Sequence, residues 1–253
     1  MTLPPRRCSV ALIVVGALVI EVAARIGVVD PLTLIPTSEM ARGLVRQMVD
    51  PSFLSDHLLP TVLAVGASFV LAVVAGVGLG VAMWRSDVLH AILDPYLTTY
   101  YAIPVFALYP LFLVLWGSGL APIIVVGALS SFVIIAVQTA AGLRNTPSVY
   151  FKVARSLRLP ARDVVHHVAI PAALPAIFAG LRLGLTYCVI MVVATQFILA
   201  TRGLGWVISD AYERFDLPTM YGGVIIVAAL SLGLISLLRR VERRISHEGP
   251  GER

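Results

Sequence analysis

Long apolar runs separated by short polar stretches dominate the chain. A helix needs about 20 consecutive apolar residues to cross roughly 30 Å of hydrocarbon, and such windows fall at 8–28, 60–83, 96–116, 121–142, 176–199 and 220–238. Each predicts a membrane-spanning helix. Pro104 and Pro110 interrupt the third, which membrane helices tolerate where neighbours satisfy the freed carbonyls. The longest polar connection joins the fourth and fifth runs and has a pattern of its own. From Ser148 to Leu157 the apolar residues Tyr150, Phe151, Ala154 and Leu157 recur at helical spacing, while Lys152, Arg155 and Arg158 hold polar positions. Proline disfavours the helical conformation in the residue before it, so Leu159-Pro160 ends that helix. Pro160 can then open a second helix over about 161–169, with Val164, Val165 and Val168 on one side. Pro171 and Pro175 bracket the lead into the fifth span. The expectation is two short amphipathic helices joined by a tight turn.

Composition turns the pattern into a class. Of 253 residues 58% are hydrophobic and 13% charged, and the mean hydropathy is +0.92, outside the range of soluble domains. The chain reads as an all-α, multi-pass membrane protein. Lys and Arg collect in short cytoplasmic loops. Arg6 and Arg7, Arg85, Arg144 to Arg162, and Arg239, Arg240, Arg243 and Arg244 all fall on one side if the spans number six. Arg42, Arg46, Arg202 and Arg214 fall on the other, offset by Glu39, Asp50, Glu213 and Asp216. Both termini are therefore expected in the cytoplasm, and the net charge of +5 is topology charge that calls for no nucleic acid. MTLPPRR, an apolar run and VAAR also fit a cleaved secretory signal. The run through Val29 is nonetheless long enough to span, and its removal would put the two charge-rich ends on opposite sides. Glu21 and Arg25 lie one helical turn apart near its outer end, where a mutual pair or snorkelling is the default.

Candidate chemistry is sparse. Cys8 and Cys188 sit in apolar runs as small hydrophobes, so no disulfide framework or thiolate metal site is supported. His166 and His167 project about 100° apart on a helix and cannot easily share one metal ion. No cofactor is indicated. No phosphate-cradling Gly-x-x-x-x-Gly-Lys occurs, and Lys152 is the only lysine, so any ATP must be hydrolysed by another polypeptide. Polar residues at membrane depth are costly and mark either a path or helix-to-helix contacts. Here they are Tyr100, Tyr101, Ser130, Ser131, Gln138, Thr139, Arg182, Thr186, Tyr187, Thr195 and Gln196. Arg182, near the cytoplasmic end, is suited to anions, headgroups or a helix end. Gly76, Gly78 and Gly80 read as close helix packing. A secondary transporter should show an internal repeat or a paired intramembrane acid and base; no repeat is visible, and Glu21 is the only acid well within a span. An intramembrane enzyme needs a nucleophile with its base, or clustered metal ligands, at one depth, whereas all five histidines lie in loops or tails.

Several stretches carry a family resemblance. K-V-A-R-S-L-R at 152–158 followed by V-A-I-P-A-A-L-P at 168–175 resembles the cytoplasmic loop of permease subunits of bacterial ABC importers. DPYLTTYYAIPVFALYPLFLVLWGSG at 94–119, AGLRLGLTY at 179–187, TRGLGWVISDA at 201–211 and RRVER after the last run are similar to the nitrate/sulfonate/taurine branch. The resemblance covers about residues 55–245.

It implies a type I (MetI-like) permease fold of six spans in the bacterial inner membrane, working as a homodimer. Two ATPase subunits bind below and an extracytoplasmic substrate-binding protein above. It further implies an N-terminal helix and periplasmic segment at 1–59, a permease core at 60–245 with a coupling loop at 145–175, and a cytoplasmic tail at 246–253. Tyr150, Phe151, Lys152, Val153, Ala154, Arg155, Leu157 and Arg158 would then engage the ATPase, with Tyr150, Phe151, Ala154 and Leu157 as its docking surface. Three positions depart from the family pattern. Lys152 replaces its glutamate, Val153 its first alanine, and Arg158 its turn glycine, so the turn is expected to rely on Leu159-Pro160. Gln196 stands where relatives often carry glutamate. The expected cargo is a small sulfonate, taurine or nitrate, with an aromatic or pyrimidine-like solute as the alternative.

Overall fold

A computed structural model of the chain describes residues 5–27, 30, 33–100 and 103–247. The regular elements among them are all helical. In chain order they are α1 (Pro5–Ile26), α2 (Thr37–Val49), α3 (Pro51–Arg85), α4 (Asp87–Tyr100), α5 (Tyr109–Trp116), α6 (Leu120–Arg144), α7 (Ser148–Ser156), α8 (Arg162–Ile198), α9 (Leu204–Glu213) and α10 (Leu217–His247). Four helices among the described residues are long and apolar enough to cross a membrane: α3, α6, α8 and α10. They contain the expected second, fourth, fifth and sixth spans. The expected third span is broken: Asp87–Tyr100 and Val105–Trp116 pass the same test only together, bent by 85°. Pro104, with φ −73° and ψ 84°, stands outside helical geometry, and its missing N–H removes a helix bond at the break. The expected first span lies on α1, where Leu12, Val15, Leu18 and Val19 are exposed.

Pro171 and Pro175, which bracket the lead into the fifth span in the sequence, lie inside a helix, as does Pro60. Pro60 follows a wide turn in which the Leu59 N–H reaches the Leu54 carbonyl, and Pro171 follows one in which the Ile170 N–H reaches the Val165 carbonyl. Each bond runs five residues back, and the widened turn gives the ring room without ending the helix. The expected second loop helix at 161–169 is therefore the first part of α8, continuous with the fifth span.

The chain divides into two compact units. The first comprises Met1–Pro60 and Gln196–Ala229. Here the Glu21 carboxylate takes the Arg25 Nε–H at 2.7 Å, the pair expected from spacing. It also accepts Thr37 Oγ1 at 2.9 Å, Ser38 N at 2.9 Å and Ser38 Oγ at 3.0 Å. Pro36 precedes α2 and supplies no side-chain cap, so a carboxylate from α1 caps α2 in its place. Asp50 caps α3, and the Ser52 hydroxyl and N–H it accepts hold its carboxyl below the usual carboxylate range. Gly43 lets α2 meet the backbone of Pro218, and Gln47 Nε2 donates to the Thr219 carbonyl at 2.8 Å. Ile35, Met40 and Leu217 form the buried cluster beside this contact.

The second unit comprises Thr61–Thr195 and Leu230–Arg253. Its centre is α6, which meets α3 and α8 at small residues. A Cβ on Gly76 or Gly80 of α3 would stand 2.8 Å from the Phe132 carbonyl oxygen or 2.6 Å from the Thr139 Cβ. One on Gly180 or Gly184 of α8 would stand 2.6 Å from the Gln138 Cβ or 2.7 Å from the Ile135 Cγ1. Both pairs are four residues apart, so each helix presents one smooth ridge to α6. Gly78, grouped with Gly76 and Gly80 in the sequence, meets nothing within 4 Å. Cys188 is fully buried with its thiol 3.6 Å from the Val65 carbonyl, as a small core residue.

Candidate functional site: the 145–175 loop and the path residues

Helix α7 has two apolar stripes, and the fold uses them differently. Phe151 and Ala154 turn inward: Ala154 is buried, and the Phe151 ring lies 6.1 Å from that of Trp84 at the end of α3. Both Phe151 and Trp84 pack on Leu143, Ala169, Ala173 and Ile177. Val149, Tyr150, Val153 and Leu157 remain exposed at 57%, 50%, 55% and 67%. The outward apolar face is thus 149/150/153/157, where the sequence suggested 150/151/154/157. A short helix cannot be held in place without spending one face on its own protein, and the aromatic residue opposite Trp84 is the one spent. Lys152, Arg155 and Arg158 are exposed around the outward face.

The turn after α7 corrects a second expectation. Arg158 itself adopts the left-handed conformation, with φ 52°. Its N–H bonds the Arg155 carbonyl at 2.9 Å, and the Leu159 N–H bonds the Ala154 carbonyl at 3.1 Å. This is a Schellman close that ordinarily carries glycine at the Arg158 position. Leu159-Pro160 follows the turn and does not make it. Phe215, with φ 56°, closes α9 in the same way. A side chain in this conformation costs about 1 kcal/mol. Arg158→Gly is accordingly expected to raise the thermal unfolding midpoint of the purified protein, by about 1 kcal/mol of added stability. An unchanged or lower midpoint would count against strain at this turn.

The hydroxyls at membrane depth are mostly occupied by backbone. Ser130, Ser131, Thr186 and Thr195 donate to the carbonyls of Val126, Gly127, Arg182 and Met191 at 2.8, 2.8, 3.0 and 2.9 Å. Thr139 is fully buried, its hydroxyl facing no hydrogen-bond partner, at the close approach of Gly80. Gln138 packs on Gly180. Arg182 forms a partly buried ion pair with Glu242 of α10, a partner unsuspected from sequence. In the first unit, Gln196 is fully buried and its Oε1 accepts the Gly205 N–H at 3.3 Å. A Cβ on Gly203, whose φ is 108°, would stand 2.4 Å from the Gln196 Cδ, so this turn requires glycine. His57, stacked on Trp206 at 5.1 Å, accepts the Gly203 N–H at 3.3 Å through Nδ1. Only the glycine-rich turn hinted at this arrangement. Tyr101 lies outside the described residues. Tyr100, Ser130 and Tyr187 are brought together on one half-open cleft in the second unit.

Residues 68–247 match the family described as the binding-protein-dependent transport system inner membrane component. The chain belongs to this family. It is a permease component, a multi-pass protein of the inner membrane. The taurine transport system permease protein of Escherichia coli K12 is 30% identical over 227 residues, spanning 88% of this chain and 82% of that one. The putative aliphatic sulfonates transport permease of Bacillus subtilis 168 is 28% identical over 234 residues, 90% of this chain and 84% of that one. A solved structure of the MetNI methionine ABC transporter, inward facing, has the same fold. Its TM-score is 0.65 at 20% identity, covering 81% of this permease and 97% of that chain. Elsewhere in the permease, His166 and His167 are both exposed, and no group of three His, Cys, Asp or Glu among the described residues could hold a metal ion.

Proposed function

We propose that this permease forms the translocation path of an ATP-driven importer in the bacterial inner membrane, as a homodimer of six-span protomers with cytoplasmic termini. Residues 60–245 are its core, and α1 supplies the first span. Two separate ATPase subunits drive it, and an extracytoplasmic binding protein delivers the solute. The observation that carries the coupling assignment is the exposed apolar face of Val149, Tyr150, Val153 and Leu157 on a helix anchored through Phe151 and Ala154. A helix laid in a partner's groove transmits a rigid-body stroke only if its other side is fixed. Lys152, Arg155 and Arg158 rim this face, and Lys152 faces an acidic or neutral groove on the ATPase. Tyr100, Tyr101, Gln138, Thr139, Thr186, Tyr187, Thr195 and Gln196 belong to the path or its walls, and Arg182 is held to Glu242 at its edge.

The solute is a small organic sulfonate, taurine or a nitrate-like anion, a reading supported by the taurine and sulfonate relatives. Two measurements test these assignments. Lys152→Glu is expected to lower transport-coupled ATP hydrolysis of the purified complex by about tenfold, the scale of one interfacial charge reversal. Unchanged coupling overturns the groove assignment. Native mass spectrometry of the cognate binding protein is expected to reveal a bound sulfonate or nitrate. An aromatic or pyrimidine-like ligand overturns the solute and leaves the permease role intact.

A further inference from the structure

The cleft in the second unit has a chemical bias that the path assignment alone does not use. Its walls include Tyr100, Ser130, Tyr187 and Met191, with buried Val105 and Ile134 behind them. Among the described residues no charged side chain lines it. The Tyr100 Oη donates its proton to the Leu129 carbonyl at 3.3 Å, and the Ser130 Oγ donates to the Val126 carbonyl at 2.8 Å. Both hydroxyls have therefore spent their hydrogens on backbone and turn only lone pairs to a ligand. Tyr187, 40% exposed, adds a second aromatic ring to the same cleft.

An anion entering here would lose hydration and meet no cation and few free donors, which is unfavourable in an apolar site. A primary ammonium meets the opposite conditions. Its protons find the Tyr100 and Ser130 oxygens, and its charge is attracted to the π-systems of the two tyrosines that line the cleft. The cleft is open on one side, so an anionic group two carbons away can project out of it.

We propose that this cleft is a solute subsite that recognises the ammonium end of a zwitterion, which selects an aminoalkyl sulfonate over a plain alkanesulfonate or nitrate. This rests on the reading of the chain as a sulfonate-class permease, and narrows it. The subsite contributes selectivity within the permease itself, in addition to that of the binding protein.

The test uses the full complex with its ATPase subunits in nanodiscs. Binding of taurine, ethanesulfonate and tetramethylammonium is measured by saturation-transfer NMR on the wild type, Tyr187→Phe and Tyr187→Leu. Taurine and tetramethylammonium are expected to bind and ethanesulfonate to bind at least fivefold more weakly. Tyr187→Leu is expected to weaken the two cations about tenfold, and Tyr187→Phe, which keeps the ring, to stay within twofold. Equal binding of taurine and ethanesulfonate, or a Leu variant indistinguishable from wild type, overturns the subsite. ATP-driven uptake by the same complexes reconstituted into proteoliposomes with the binding protein reads the cargo separately. Tyr187-dependent cation binding without uptake of any sulfonate leaves the subsite standing and removes the cargo assignment. Taurine uptake with no Tyr187 dependence of binding does the reverse.

Discussion

Leu157→Asp is expected to abolish ATPase association while leaving the permease folded. Leu157 is 67% exposed, beyond the last turn of α7, so a charge there disturbs no core contact of its own chain. In the proposed interface it is an apolar anchor entering a groove. Central anchors of this kind cost about 2 kcal/mol or more when lost, roughly a 30-fold weaker complex, and a desolvated carboxylate adds to that. The measurement is pull-down of the ATPase subunit together with transport-coupled ATP hydrolysis, and thermal unfolding of the isolated permease serves as the control. Val153→Asp, on the same face, should behave alike. Phe151→Ala should differ in kind: it lowers the unfolding midpoint, because Phe151 holds the helix against Trp84 and Leu143. If both aspartate variants copurify with the ATPase at wild-type yield, the docking face lies elsewhere.

Gly43→Ala is expected to destabilise the first unit by about 3 kcal/mol or more. Its Cβ would stand 2.0 Å from the carbonyl oxygen and 2.5 Å from the carbonyl carbon of Pro218. A side chain could rotate out of the way, but a helix backbone cannot. Helix α2 must back off, which stretches the Gln47 bond to the Thr219 carbonyl and opens the cluster of Ile35, Met40 and Leu217. Overpacking alone costs about 1–3 kcal/mol, and a broken buried hydrogen bond about 1–3 kcal/mol more. Gly16→Ala is the matched control, since a Cβ there meets nothing within 4 Å. Alanine is the better helix former by about 1 kcal/mol, so this control should be neutral or stabilising. Thermal unfolding in detergent compares the two, and similar midpoints for both variants would refute the close contact.

The helices and the loop were legible because both follow from local pattern. Apolar length marks a span, and the 3.6-residue period of Ser148–Leu157 marks an amphipathic helix whatever it touches. Arg158 was misjudged because propensity argues against a left-handed arginine, whereas two carbonyls at the end of α7 that need donors decide in its favour. Pro171 suggests a boundary because a proline interrupts bonding four residues back, and the wider turn that absorbs it leaves no signature in sequence.

Residue type and order alone determined that this chain is helical, where four of its membrane-spanning runs lie, and that a basic amphipathic helix interrupts them. Tertiary structure decided which stripe of α7 faces outward, that Glu21 caps α2, that Arg182 belongs to Glu242, and that Tyr100, Ser130 and Tyr187 share a cleft. The reason is specific to a lipid-facing protein. Lipid and protein interior are equally apolar, so hydrophobicity can reveal that a helix spans but not which of its faces meets another helix. That choice falls to shape and to polar partners distant in sequence, at the glycine ridges of α3 and α8 and at the carboxylate of Glu21.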